Sequence, residues 1–407
     1  MKPTVADVPR LLTTTAELEE LAASAVAAGR IALDTEFVWE RTYRPMLGVV
    51  QIATDDTALV LDARALPSLE PLFPLLRDAA FPVVIHGGGQ DLEIFAALMG
   101  EPIRGVFDTQ VAAAFLGYGL QIGLSPLMER VMKVRIPKDQ TYTDWTKRPL
   151  KPEQLVYARE DVVHLLPLYD QLRGDLERRG RLDWVHEEQR RFEDPERWEP
   201  VPDDECYTYV KGWQRHGARE LAVLRALAAW RERAARRANI RPNFVTNDIV
   251  LVTLAGRPVE SIEELRQVRG LSAGTVDRHG RSLLEALQEG ITCPREAWPK
   301  APDRVRREAA PSGLIALLRA SVQAVAEEEE IAPEVIASAR DLEALVAAAT
   351  SRRKGEPPHM PLVEGWRGAL VGKMLLGLAR GELAVRYDPA KRAVVSEPVE
   401  VGAEPER

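Results

Sequence analysis

Short apolar segments rich in β-branched residues alternate with helical patterns over the first 170 residues. The predicted strands are Arg30–Leu33, Gly48–Ala53, Ala58–Asp62 and Pro82–His86. The spacing of the apolar residues predicts helices between and after them, at Ala16–Ala28, Leu69–Asp78, Asp91–Met99, Asp108–Gly117 and Pro152–Arg173. Strands that are followed by helices predict a layered α/β or α+β domain with a mixed sheet.

The helical pattern takes over after about Cys206, where the strand pattern fades. Two proline-containing polar stretches, at residues 195–202 and 293–311, are typical of linkers. The helices on either side of the second linker have similar lengths and order, which predicts two copies of one small all-helical module. We therefore expect a first domain over residues 1–204, helical modules over 205–295 and 308–387, and a disordered tail over 388–407.

The composition is that of a folded protein, with 45% hydrophobic and 29% charged residues among 407. This excludes a mainly disordered chain and a collagen. No segment has the roughly 20 consecutive apolar residues of a membrane-spanning helix, so we expect no membrane partner. The two cysteines, Cys206 and Cys293, form neither a CxxC metal motif nor a disulfide framework. They favour a reducing compartment and predict a cytoplasmic location.

The net charge of −8 is distributed unevenly along the chain. Residues 1–204 carry 23 Lys and Arg against 34 Asp and Glu, whereas residues 205–295 carry 15 against 10, a net charge of +5. A basic section beside an acidic one indicates a module that binds a charged partner. Arginine-rich helices that are simply solvated would give the same charge, and charge alone does not separate these two interpretations.

An Asp-x-Glu motif, Asp34-Thr35-Glu36, follows the first predicted strand. Residues two apart in a strand point to the same face, so Asp34 and Glu36 would converge on one point. Two adjacent carboxylates repel each other unless a cation lies between them, and oxygen ligands suit Mg²⁺ or Mn²⁺. For this motif alone, two solvated acids at a strand end are the more common explanation.

Two further acidic residues lie in helical segments. Asp91 follows Gly87–Gly89 at the expected start of a helix, where an aspartate commonly caps free backbone N–H groups. Tyr157 and Asp161 are four residues apart and therefore lie on one face of a later helix. Each motif alone is common, but the order and separation of the set are specific.

The combined motifs resemble those of the DEDD exonucleases, in particular the ribonuclease D family. The resemblance rests on DTE after a strand, on HxxxxDL from His86 to Leu92, and on YAxxDV from Tyr157 to Val162. Three connecting segments are also similar to that family: residues 34–53, 107–116 and 138–150. Both helical modules resemble the HRDC domain that RecQ-type helicases share with ribonuclease D, most clearly at Glu364–Arg367.

The resemblance implies a ribonuclease H-like α/β (α+β) exonuclease domain followed by two small all-α HRDC-like domains. It implies 3′→5′ hydrolysis of RNA with two divalent metal ions, Mg²⁺ or Mn²⁺, and release of nucleoside 5′-monophosphates. The implied metal ligands are Asp34, Glu36, Asp91 and Asp161. Asp34 would bridge both ions, and Tyr157 would orient the attacking water. Val156 stands where a sister subclass has histidine, which indicates the tyrosine subclass.

Contacts to RNA are expected from aromatic and basic side chains. Trp39 would stack on a base, although packing beneath a loop is an equally good explanation. Arg41, Lys138 and Arg148 would reach phosphates, although exposed basic residues are also ordinary protein surface. One long helix of the first module has an apolar stripe, which predicts outward-facing arginines. These are Arg225, Arg231, Arg233, Arg236 and Arg237, and the last three are the expected RNA contacts.

The sequence thus predicts a metal-dependent 3′→5′ exoribonuclease that trims tRNA precursors and other structured RNAs, with no obligate protein partner. A DNA exonuclease acting in repair is the enzymatic alternative, because the same carboxylates serve both nucleic acids, and single-stranded DNA is a second candidate substrate. The two HRDC-like modules favour the ribonuclease. A catalytically silent nucleic-acid-binding protein is the third hypothesis, which would require the loss of an acidic ligand, and none is lost.

Overall fold

The computed structural model describes residues 8–135, 143–301, 310–349, 360–390 and 393–399. The described part of the first domain has six strands: β1 (Leu11–Leu12), β2 (Ile31–Val38), β3 (Met46–Ala53), β4 (Ala58–Asp62), β5 (Val83–Ile85) and β6 (Val106–Asp108). They form one sheet in the order β1-β4-β3-β2-β5-β6. Parallel and antiparallel pairs both occur, which confirms the predicted mixed sheet.

The strand directions bring three strand ends to one edge of the sheet. β2 is antiparallel to β3 but parallel to β5, and β5 is parallel to β6. The carboxyl ends of β2, β5 and β6 therefore lie at the same edge. The β2–β3 register shifts between Glu36 and Phe37, and such a bulge bends a strand and redirects its side chains. The Asp-x-Glu motif lies at this irregular end of β2.

Helices cover both faces of this sheet. They are α1 (Thr15–Ala28), α2 (Phe73–Arg77), α3 (Gly89–Met99), α4 (Thr109–Ala114), α5 (Leu124–Val131), α6 (Pro152–Val163), α7 (Leu165–Arg178) and α8 (Leu182–Gln189). Leu33 packs with residues of α1, α2 and α3 in one core, whereas Ala32 packs with α4 and α7 in another. Because side chains alternate along a strand, Asp34 points to the same face as Ala32, the face that α6 and α7 cover.

The predicted elements differ from the observed ones mainly at their ends. β2 extends through the motif to Val38, and the short strands β1 and β6 were not predicted. The predicted helix Pro152–Arg173 is two helices, since His164 ends α6 and precedes α7. The predicted helix Leu69–Asp78 is a 3₁₀ turn followed by the five-residue α2, each with a proline near its start.

The first helical module has its own apolar core. Its helices are α9 (Ala218–Ala238), α10 (Pro242–Val245), α11 (Asp248–Gly256), α12 (Ile262–Leu265) and α13 (Ala273–Thr292). The expectation that every arginine of α9 faces outward is wrong for Arg231, which is 5% exposed. Its guanidinium donates to the Asp248 carboxylate at 2.7 Å, and this ion pair compensates the charge inside the module.

The second helical module shares a core with the first domain. Its helices are α14 (Ser312–Glu329), α15 (Pro333–Ile336), α16 (Ala339–Ala349), α17 (Gly365–Arg367) and α18 (Lys373–Ala379), with a π-helical turn at Gly368–Gly372. Leu318 and Trp366 belong to the same buried cluster as Phe115 and Leu168. The Arg181 guanidinium also donates to the Glu329 carboxylate at 2.7 Å across this boundary. The two units therefore pack as one body.

The predicted disordered tail is wrong for residues 393–398. β7 (Leu383–Asp388) and β8 (Ala393–Pro398) form an antiparallel pair, in which Tyr387 lies opposite Val394. Val394 and Val395 are β-branched and favour a strand, and pairing satisfies backbone groups that a disordered tail would leave to water. Within the described ranges, no helix combines the length and the apolar character needed to cross a membrane.

Candidate active site

The two acids of the Asp-x-Glu motif lie half-buried at the end of β2. Burial raises the pKa of Asp34 well above its usual value, and the charges of Asp91, Asp161 and Glu36 raise it further. Burial, with Asp161 and Asp91, also raises the pKa of Glu36 to about 8. Asp34 therefore interacts with all three of the other predicted ligands, so the four acids form one electrostatic cluster.

Asp91 joins this cluster from the first turn of α3. Gly88 is the N-cap of the helix, so the alternative explanation of Asp91 as the capping residue does not hold. The Asp91 carboxylate is 8% exposed and accepts a hydrogen bond from the Thr35 hydroxyl. Burial raises the pKa of Asp91, which these hydrogen bonds oppose. Thr35 lies between Asp34 and Glu36, and it links α3 directly to the strand that bears them.

Tyr157 and Asp161 enter the site from α6, on the opposite side of the sheet from α3. The two residues are one helical turn apart, and the Tyr157 hydroxyl donates to the Asp161 carboxylate. Burial raises the pKa of Asp161 to about 7, with Glu160 contributing, despite this hydrogen bond. The Tyr157 ring also lies beside the buried Trp145, with 6.1 Å between their ring centres.

The chemistry of this cluster fits divalent cations. All four side chains offer carboxylate oxygens, the ligands that Mg²⁺ and Mn²⁺ prefer. Gln51 lies opposite Asp34 in the β2–β3 pair and is fully buried, and neither polar atom of its carboxamide has a hydrogen-bond partner among the described residues. A buried orphaned amide opposite Asp34 is suited to a water molecule or a hydrated ion.

The four carboxylates are close enough to raise one another's pKa values, but they do not all surround one point. Among the described residues, no three Asp, Glu, His or Cys side chains are close enough to hold an ion as they stand.

Two aromatic residues on the loop after β2, the predicted RNA contact Trp39 and its neighbour Tyr43, touch the first helical module. The Arg241 guanidinium lies 5.3 Å from the centre of the Trp39 ring and donates to the Trp39 carbonyl oxygen at 3.0 Å. Arg236 stacks on Tyr43 at 5.5 Å and donates to the Asp203 carboxylate at 2.7 Å. These contacts favour a structural role for Arg236, which holds the first helical module against the loop after β2, in addition to its predicted contact with RNA.

The other predicted basic contacts fall into two groups. Arg148 donates to Asp62 at 2.6 and 2.7 Å and to the Gly48 carbonyl oxygen at 2.9 Å, which favours a structural role. Arg41, Arg233 and Arg237 are exposed to solvent. Lys138 lies outside the described residues.

A cleft of about 1820 Å³ runs between the first domain, the linker and the first helical module. Aromatic and basic side chains line much of it: Trp39, Tyr43, Arg197, Trp198, Tyr209 and Arg236. Gly87, Gly89 and Gln90, which follow β5 and precede Asp91, also line this cleft. The cleft therefore reaches the segment that precedes Asp91.

Sequence reasoning missed several residues that shape the site. Thr35 is only the spacer of the Asp-x-Glu motif in the sequence, and Gln51 is a single polar residue within an apolar strand. Trp145 was seen only as part of a connecting segment, and Asp108 only as the start of a helix. A polar residue within an apolar strand, as Gln51 is, was the one available signal.

The chain is similar to known nucleases over nearly all its length. Residues 9–177 match the 3′–5′ exonuclease family, residues 220–287 the HRDC domain, and residues 313–375 the ribonuclease D C-terminal HRDC domain. Ribonuclease D of Acidiphilium cryptum is 36% identical over 96% of this chain and 98% of its own length. Ribonuclease D of Gluconacetobacter diazotrophicus is 36% identical over 93% and 95%.

A solved structure has the same arrangement of domains. It is that of Escherichia coli RNase D, described as an exoribonuclease involved in structured RNA processing. The TM-score is 0.81 at 31% sequence identity, covering 92% of this chain and 99% of that one. The predicted combination of an exonuclease domain and two HRDC-like domains is confirmed.

Proposed function

The chain belongs to the ribonuclease D family of 3′→5′ exoribonucleases, and we propose that four of its acidic side chains bind two divalent metal ions for hydrolysis: Asp34, Glu36, Asp91 and Asp161. The observation that carries this assignment is the meeting of four buried or half-buried acids from β2, α3 and α6, so close together that the charges of the other three raise the pKa of Asp34. A cluster of four acids at the end of a strand is unfavourable without cations, so its presence is explained by metal binding.

The roles of the individual acids follow from their positions. Two bound ions, Mg²⁺ or Mn²⁺, would supply activation of water and stabilisation of charge on the reacting phosphate and the departing 3′ oxygen. Asp34 interacts with every other acid, which suits a ligand shared between two ions. Glu36 and Asp161 interact with each other and would complete one position. Asp91, held from the α3 side by Thr35, would support the other.

Tyr157 is proposed to position the attacking water. Its hydroxyl donates to Asp161, so the oxygen is held beside a proposed ligand, and a phenolic oxygen can accept a hydrogen bond as well as donate one. Packing of its ring beside Trp145 limits the movement of the side chain. This role contributes orientation rather than charge.

The proposed substrate is the 3′ end of structured RNA, such as a tRNA precursor. The related E. coli enzyme acts in structured RNA processing, and the cleft described above offers aromatic and basic side chains to a single strand. Exposed Arg233 and Arg237 on the basic module would add contacts to phosphates. Arg41 would do the same beside the β2–β3 loop.

An assay with matched nucleic acids tests this proposal. Purified protein with Mg²⁺ or Mn²⁺ should shorten a 3′-extended tRNA one nucleotide at a time and release 5′-monophosphates. Chelation of metal should stop the reaction. Faster digestion of single-stranded DNA of the same sequence would favour the repair exonuclease, and no digestion of either with intact binding would favour the silent protein.

A further inference from the structure

A buried aspartate outside the proposed ligand set lies at the end of β6. Asp108 is 3% exposed, and its Oδ1 atom accepts from the Gly87 N–H at 2.9 Å and from the Gln110 N–H at 2.8 Å. The backbone N–H groups of Gly88 and Val111 also donate to this carboxylate. One side chain therefore holds two segments: the start of α4 and the turn that precedes α3.

The held turn has little freedom to move. Gly87 has φ +63°, a left-handed conformation that favours glycine, and a Cβ there would lie 3.1 Å from the Gln110 amide. A Cβ on Gly88 would lie 2.9 Å from the Ile85 Cδ1 atom and 3.1 Å from the Asp91 Oδ2 atom. The backbone of Gly88 is thus in close contact with the carboxylate that we assign to metal binding.

Neighbouring contacts fasten the same turn to β6. The His86 ring lies 2.9 Å from the Thr109 hydroxyl and 3.0 Å from the Ile122 carbonyl oxygen. The Thr109 hydroxyl in turn donates to the Ile85 carbonyl oxygen at 2.8 Å. Thr109, which follows Asp108, is therefore tied to Ile85 and His86, and Phe107, which precedes it, pairs with Val84 in the sheet.

We propose that Asp108 is a positioning residue: it holds the Gly87–Gly88 turn through backbone N–H groups and thereby sets where the Asp91 carboxylate lies relative to Asp34. The proposal rests on the metal-binding function assigned above. Groups that orient metal ligands typically change metal affinity by about 10- to 100-fold.

The first test is D108N, which keeps the size of the side chain but replaces an acceptor oxygen with a donor facing backbone N–H groups. Mn²⁺ binding to the full-length protein, measured by calorimetry and by electron paramagnetic resonance, should weaken by about 10- to 100-fold. The measurement is made well below the melting temperature, so the fold is intact. Unchanged Mn²⁺ affinity in folded D108N would overturn the proposal.

D62N is the matched control for loss of stability. Asp62 is also a buried aspartate of this domain and accepts from the Arg64 and Ala65 N–H groups at 2.9 and 3.1 Å. Its replacement should lower the melting temperature but leave Mn²⁺ affinity unchanged. If D62N and D108N weakened Mn²⁺ binding equally, the effect of D108N would be general destabilisation and the proposal would fail.

A pair of glycine variants tests the turn even if D108N does not fold. G88A should weaken Mn²⁺ binding, because its methyl group would press on Asp91. G89A is its control, since a Cβ there meets no described atom within 4 Å, and it should bind Mn²⁺ like the wild type. Equal affinity of G88A and G89A would contradict a role for the turn.

D34N separates this proposal from the function on which it rests. If D34N bound Mn²⁺ as tightly as the wild type, the metal assignment itself would fail. If D34N lost binding while D108N and G88A kept it, the metal site would stand and the role of Asp108 would be refuted.

Discussion

Replacing Trp366 should destabilise the nuclease domain, although Trp366 belongs to the second helical module. Its side chain is 4% exposed and stacks on Trp184 of the first domain, with ring centres 5.2 Å apart and an angle of 14°. Phe115 meets it edge-on at 5.0 Å. Both partners lie in the domain that carries the catalytic acids, so the indole connects the two units.

The size of the effect follows from burial. Truncating a buried tryptophan to alanine costs about 3–5 kcal/mol, and each lost aromatic pair adds about 0.5–1.5 kcal/mol. We expect W366A to lower the free energy of unfolding by at least 3 kcal/mol. W366F should lose less, because the indole N–H has no partner among the described residues and only ring area is removed.

Urea unfolding followed by far-UV circular dichroism and by activity measures this effect. W366A should move the loss of nuclease activity and the main structural transition together to lower urea. Y209A is the control, since Tyr209 is 72% exposed and its removal should change stability by less than about 0.5 kcal/mol. If W366A shifted only a separate, smaller unfolding transition while nuclease activity was lost at the wild-type urea concentration, the second helical module and the first domain would not unfold cooperatively, and the reasoning would be refuted.

Three further predictions concern the site and its substrate. Without metal, the free energy of unfolding should fall as pH rises from about 4.5 to 8, because Glu36 (pKa about 8) and Asp161 (pKa about 7) retain protons in the native state that the unfolded chain has released. Calorimetry in chelator should show a flatter dependence of this free energy on pH for E36Q. An unchanged dependence would refute the raised pKa of Glu36. Y157F should slow hydrolysis by about 10²-fold with unchanged Mn²⁺ affinity, and wild-type turnover would make the tyrosine a packing residue. The double variant R233E/R237E should bind tRNA more weakly, and its log affinity should depend less steeply on log salt concentration, while short oligonucleotides are digested normally. If this salt dependence were unchanged, both arginines would be solvated surface residues.

The local sequence predicted the chemistry better than it predicted the packing. Asp34, Asp91 and Asp161 were identified from motif order, and the structure brings them into one electrostatic cluster. The bulge after Glu36 was not predictable, because it depends on the register in which β2 pairs with β3, and the apolar pattern of β2 alone does not fix that register. The exact end of α6 at His164 was also missed, since the apolar spacing continues through it.

The positions of the two helical modules were not predictable from periodicity. An apolar face has the same pattern whether it packs within its module or on another domain, so the shared core around Trp366 carried no local signal. The arginines of α9 illustrate the same limit. Arg231 is buried against Asp248 and Arg233 is exposed, although both belong to one basic run.

Combined metal binding and hydrolysis in D34N tests the central claim most directly. Asparagine keeps the shape of the side chain and removes the carboxylate whose pKa the other three acids raise. With calorimetry of Mn²⁺ binding and a 3′-extended RNA assay, the wild type should bind two ions per chain, and D34N should lose tight binding and several orders of magnitude in rate while still binding RNA. Substantial turnover in D34N, or wild-type Mn²⁺ affinity, would contradict the assignment of the four acids as metal ligands.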